Sequence, residues 1–107
     1  IRNQYFNSLY IPNALTPGYN VHEAQVFLPK GKSLMEFEIT VYDKWGNILW
    51  ESYNDLNGEG SPTEYWDGTY KGKKVPSGVY YYVIHKAIFS NGSSWNGKRK
   101  GTITLIR

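Results

Sequence analysis

Glu36 and Glu38, the stretch Asp55 to Glu59, His22 and His85, and the four tryptophans are the residues whose types and spacing could do chemistry in this chain. A glycosidase needs two carboxyls roughly 5–9 Å apart in a cleft, one of them held protonated. Glu36 and Glu38 are instead i,i+2 neighbours in Met35-Glu36-Phe37-Glu38-Ile39-Thr40-Val41-Tyr42. That run alternates with period two, so both acids belong to the polar face of an amphipathic strand. Asp55-Leu56-Asn57-Gly58-Glu59 gathers oxygen donors around a glycine. The acidic spacing of an EF-hand loop is missing, which leaves an irregular calcium site or an exposed loop. His22 and His85 lie far apart, with no nucleophile at a recognisable spacing from either, and His85 reads as a hydrogen-bonded strand histidine. The glycines fall at turns rather than in a phosphate loop. These residues predict no enzyme, no cofactor and no metal.

The aromatics allow a different chemistry. Trp45, Trp50, Trp66 and Trp95, with ten tyrosines, could build a flat platform for stacking sugars, as in carbohydrate-binding modules. Trp66 before Asp67-Gly68 and Trp45 before Gly46 also fit the places where strands end over a core. Trp95, in the loop Ser93-Ser94-Trp95-Asn96-Gly97, is expected to be the exposed one and is the candidate glycan-stacking residue.

Elements able to position such residues must be short and β-rich. The chain has 107 residues, one domain in size (1–107), with 11 glycines and 5 prolines. Its abrupt start at Ile1-Arg2-Asn3-Gln4 suggests a domain of a larger protein. Net charge is +3, and half of the basic residues fall in two clusters, Lys71/Lys73/Lys74 and Lys98/Arg99/Lys100. These read as solvated hairpin tips rather than a nucleic-acid surface. Cysteine is absent, which excludes disulfides and thiolate metal sites. No apolar run reaches the length of a membrane span, so direct membrane insertion is not expected.

Leu9-Tyr10-Ile11 and Val26-Phe27-Leu28 read as short strands stopped by Pro12 and Pro29, and Ala14 to Asn20 as a loop. Met35, Phe37, Ile39 and Val41 are expected on the core face of the clearest strand. Asp43-Lys44-Trp45-Gly46 turns it into a hairpin with Asn47 to Ser52, Gly46 supplying the positive φ. Asn54 to Thr63 is a polar loop, Tyr65 to Tyr70 a strand end and turn, and the lysines that follow a link. In the long run Val79 to Phe89 both faces are apolar. Burying His85 is easier than burying Lys86, which favours Val79, Tyr81, Val83 and Ala87 as the core side. Arg99 to Ile106 is the last strand. The whole is all-β: an Ig-like antiparallel β-sandwich of about seven strands with Greek-key connections.

Several blocks then recur in a telling order. Ile11-Pro12-Asn13-Ala14-Leu15-Thr16-Pro17 resembles the "PNAFTPN" opening of one bacterial family, and Ile39 to Asn47 its "IYNRWG" hairpin. Trp66-Asp67-Gly68-Thr69, Pro76-Ser77-Gly78-Val79-Tyr80-Tyr81-Tyr82 and Lys100-Gly101-Thr102-Ile103-Thr104-Leu105-Ile106-Arg107 are similar to the remaining blocks, with the last at the chain end. The family is the gliding motility-associated C-terminal domain, the type B sorting domain of the type IX secretion system in Bacteroidota. Where the family continues with "NGDGxND", this chain reads Gly18-Tyr19-Asn20-Val21-His22-Glu23, so most acids for a cation in that loop are gone.

The resemblance implies an Ig-like sandwich that directs a large cargo through the periplasm and outer membrane to the cell surface or medium. It implies translocon components and a PorP/SprF-type outer-membrane β-barrel as partners, recognition by a folded surface, and a monomer. Partner recognition is expected at Lys100, Gly101, Thr102, Ile103, Thr104, Leu105, Ile106 and Arg107, and at Lys44 and Trp45 of the hairpin. The competing readings are a carbohydrate-binding module and a passive Ig-like spacer or adhesin module.

Overall fold

The fold, described by a computed structural model over residues 8–17, 25–95 and 98–107, contains strands and no helix among those residues. Its strands are β1 (Ser8–Tyr10), β2 (Ala14–Leu15), β3 (Lys30–Lys32), β4 (Leu34–Tyr42), β5 (Ile48–Tyr53), β6 (Thr69–Tyr70), β7 (Lys73–Lys74), β8 (Gly78–Phe89) and β9 (Arg99–Leu105). Ile1 to Gln4, the loop from Gly18 to Glu23 with His22, and Asn96-Gly97 lie outside the described residues.

The main sheet runs β2-β9-β8-β4-β5. It is antiparallel except at one edge, where β2 lies parallel to β9 with Ala14 opposite Thr104 and Leu15 opposite Leu105. The sequence reads Ala14-Leu15 as loop, because a two-residue pairing leaves no periodicity to detect. Against this sheet packs a second layer, built from the antiparallel pair β1–β3 and a bridge between Phe27 and Trp66. Phe27 puts its ring 6.2 Å from Trp50 and 6.0 Å from Tyr82, and Trp66 lies 5.4 Å from Tyr80. These contacts close a core that includes Leu15, Phe37, Ile39, Val41, Ile84, Ile103 and Leu105. In the second layer Phe27 makes only its bridge, and the strand there falls beyond Pro29, where the sequence suggests a stop.

Register shifts decide which faces are buried. Between Glu38/Ile39 and Lys86/Ile84 the β4–β8 pairing skips a residue, leaving His85 opposite nothing. Such a bulge inverts the alternation on either side of it. Tyr80 and Ile84 therefore point inward before the bulge, and Ala87 and Phe89 after it. Val79 and Tyr81, expected in the core, are exposed, Val83 is only partly buried, and Lys86 reaches solvent. A second shift between Leu34 and Glu36 does the same at the start of β4: Leu34 is buried while Met35, also expected inside, is 62% exposed. Phe37, Ile39 and Val41 keep the core face that their spacing predicts.

The β4–β5 hairpin forms where its turn residues place it. Asp43 Oδ1 accepts from the backbone N–H groups of Trp45 and Asn47, both at 2.9 Å, and Asn47 Nδ2 donates to Oδ2 at 3.0 Å. These donors, led by the Asn47 side chain, hold the Asp43 carboxyl below its ordinary value of 3.8. The lysines after Tyr70 form a hairpin of their own, β6–β7, rather than a link.

Candidate functional site

β9 is held by β8 on one side, by β2 at Thr104 and Leu105 on the other, and by the core beneath. It pairs with β8 along its whole length, from Arg99 opposite Ile84 to Leu105 opposite Gly78. Ile103 and Leu105 point into the core, while Lys100, Thr102 and Thr104 face out. Gly101 is required by its neighbour: a Cβ there would stand 2.3 Å from the Tyr82 ring, which lies across the glycine. Burial in turn pushes the Tyr82 hydroxyl pKa up.

Beyond β9 the chain turns into a clamp. The backbone N–H of Ile106 donates to Leu15 O at 2.9 Å and that of Arg107 to Ser77 Oγ at 3.0 Å. The Arg107 guanidinium donates through Nε to Val75 O at 2.7 Å and through Nη2 to Gly68 O. Gly68 holds φ +81° and has Arg107 Nη2 3.0 Å from where a Cβ would be, so glycine meets both the backbone angle and the close approach. The Gly68 carbonyl also accepts from Val75 N, and Trp66 Nε1 donates to Thr69 O at 2.9 Å. Tyr80 Oη donates to Pro76 O at 2.5 Å. Burial raises the Tyr80 pKa, and the nearby Arg107 charge partly offsets that rise. The Trp-Asp-Gly-Thr block, through Gly68, and the Pro-Ser-Gly-Val-Tyr block, through Ser77, thus converge on Arg107 of the final block.

The hairpin tip lies at this same end of the sheet. Asp43, Lys44, Trp45 and Leu49 form one wall of a groove of about 280 Å³, and Val75 to Tyr80 the other. Trp45 is 77% exposed, the Lys44 ammonium 5.2 Å from its ring centre. The two stretches picked out for partner recognition, the final strand and Lys44/Trp45, are therefore joined through Val75–Ser77. Sequence reasoning missed Val75, Pro76 and Ser77 as the shared wall. The Pro76-Ser77-Gly78 turn before a long strand was the available signal.

The remaining chemical candidates are engaged elsewhere. Lys86 Nζ lies 3.0 Å from Glu36 and 3.9 Å from Glu38, an exposed arrangement that raises the lysine pKa, chiefly through its bond to Glu36. In the Asp55–Glu59 loop Asn57 Oδ1 accepts from the N–H groups of Glu59 and Ser61, a local turn. His85 shares a 3.0 Å hydrogen bond with Thr40 Oγ1, burying a threonine that the alternation puts outside. No cluster of three metal-binding side chains occurs among the described residues. Trp95, expected to be exposed, is half-buried against the core, and the Arg99 guanidinium stacks over its ring at 4.3 Å. Trp45 is the exposed tryptophan.

In a comparison with known families the chain matches the CHU_C type IX secretion signal domain over residues 9–105. A search of curated proteins finds none.

Proposed function

The chain belongs to the type IX secretion signal domains of the CHU_C family, and from that premise we propose that it acts by surface recognition rather than catalysis. A signal of this family marks its protein for the type IX machinery and for export to the cell surface or medium. In our reading the domain is a monomeric, folded address. It carries a large cargo across the periplasm and outer membrane of a gliding member of the Bacteroidota, and is read by translocon components and a PorP/SprF-type outer-membrane β-barrel. It binds no nucleic acid and does not insert into the membrane.

One observation carries this reading. Arg107 ties the last strand to the Gly68 and Val75 carbonyls, beside a groove that ends at an exposed Lys44–Trp45 pair. A linear tag needs no such clamp; a folded surface does. Exposed aromatic and cationic side chains around a groove suit protein recognition, where tryptophan anchors contribute most of the binding. The glycan reading has less support, because Arg99 covers a face of Trp95.

The test fuses the whole domain to a periplasmically exported reporter in a type IX-competent cell and in the same cell without a working translocon. Reporter reaching the surface only in the competent cell supports the proposal; reporter left in the periplasm of both overturns it.

A further inference from the structure

We propose that the open half of β9, from Arg99 to Thr102, is a docking edge that takes an extended, acidic segment of a partner protein as an added strand. The inference rests on the secretion-signal reading and names the chemistry of one contact that the reading requires.

The backbone supplies the template. Thr104 N–H donates to Asn13 O at 3.0 Å and Ile106 N–H to Leu15 O at 2.9 Å. Even-numbered residues of this strand therefore aim their N–H groups at the β2 side, away from β8. Alternate residues of a strand share that direction, so Lys100 and Thr102 present N–H and C=O groups to the same edge. The described pairing of β2 reaches only Thr104 and Leu105. Proline at position 12 has no N–H to donate, and the chain before it belongs to the other layer, where β1 pairs with β3. Among the described residues nothing pairs with the outer edge at Lys100 or Thr102. The strand there is straight, with no register shift against β8, and the Tyr82 ring packed on Gly101 stiffens it from below.

Charge selects the occupant. Lys98, Arg99 and Lys100 are all exposed, and among the described residues the ion pairs are those of Lys86 with Glu36 and Glu38. Three cations thus flank the open edge with no carboxylate paired to them among the described residues. An incoming strand gains ladder hydrogen bonds from the backbone and a preference for acidic side chains from the lysines. The opposite edge of the sheet is a poorer template, because β5 carries the Glu51 carboxylate and has β6 against it.

Thr102→Pro removes one outward N–H without touching the bonds to β8, and Lys98→Glu with Lys100→Glu reverses the charge while leaving Arg99 on Trp95. Both are read in the reporter assay above, on the full domain, after thermal unfolding has been compared with the unmodified domain. The charge variant, which alters only exposed side chains, decides the outcome if the proline variant fails to fold. The proposal expects surface delivery to fall about tenfold or more in each, the loss typical when a partner's ladder group is left unpaired. The same charge reversal at Lys71 and Lys73 should leave delivery unchanged. Delivery of the charge variant at the unmodified level, or of a folded proline variant at that level, overturns the docking edge while leaving the secretion signal standing. Failure of the unmodified domain to deliver removes the signal reading and the edge with it.

Discussion

At the scale of single residues, Arg107 and Gly101 bear most on whether the proposed recognition end is formed. Arg107→Ala should lower unfolding free energy by about 1–3 kcal/mol, because two backbone carbonyls lose a charged donor. Arg107→Lys should restore little of that, since an ammonium cannot span two acceptors as a planar fork does; urea titration of both checks this. Gly101→Ala drives a Cβ into the Tyr82 ring and should cost about 1–3 kcal/mol. Truncating the ring, in Gly101→Ala/Tyr82→Ala, should cost less than the sum of the two single changes, as a double-mutant cycle would show. Asp43 gives a pH signature. Its folded pKa lies below the ordinary 3.8, so its contribution is complete above that value and is lost as pH falls through the lower folded one. Thermal unfolding above pH 4 should therefore separate the native domain from Asp43→Asn, with the two converging as pH falls below it. The clamp itself could not be read from the sequence. Arg107 reaches partners 32 and 39 positions away, and a terminal arginine looks the same whether it ends in solvent or on a carbonyl.

At the scale of elements, the β4–β5 hairpin was legible because period two and a turn with an aspartate and a glycine agreed with each other. The face of β8 was not. Alternation is readable only while it lasts, and the bulge at His85 reverses it halfway along the strand. Weighing His85 against Lys86 assumed one uninterrupted face, whereas both residues reach the outside by different routes. The inverted pattern can be measured. Ile84→Ala should cost about 2–5 kcal/mol as a core truncation, while Tyr81→Ala should stay within about 1 kcal/mol. Equal losses in a denaturant series would restore the simple alternation.

At the scale of the whole molecule, a five-stranded sheet under a thin second layer brings distant sequence blocks to one end. The all-β class followed from turn spacing and aromatic content, and the family from the order of the blocks. The groove followed from neither, because its walls come from the β4–β5 turn and from the segment before β8, which only the sheet order makes neighbours. The proposed function makes the folded end the surface that the secretion machinery reads. Trp45 is 77% exposed, so Trp45→Ser should leave stability within about 0.5 kcal/mol of the unmodified domain. Surface delivery of a reporter carrying Trp45→Ser therefore isolates the role of this side chain from that of the fold. The expected result is a folded domain whose reporter stays in the periplasm; delivery equal to that of the unmodified domain would rule out recognition at this end.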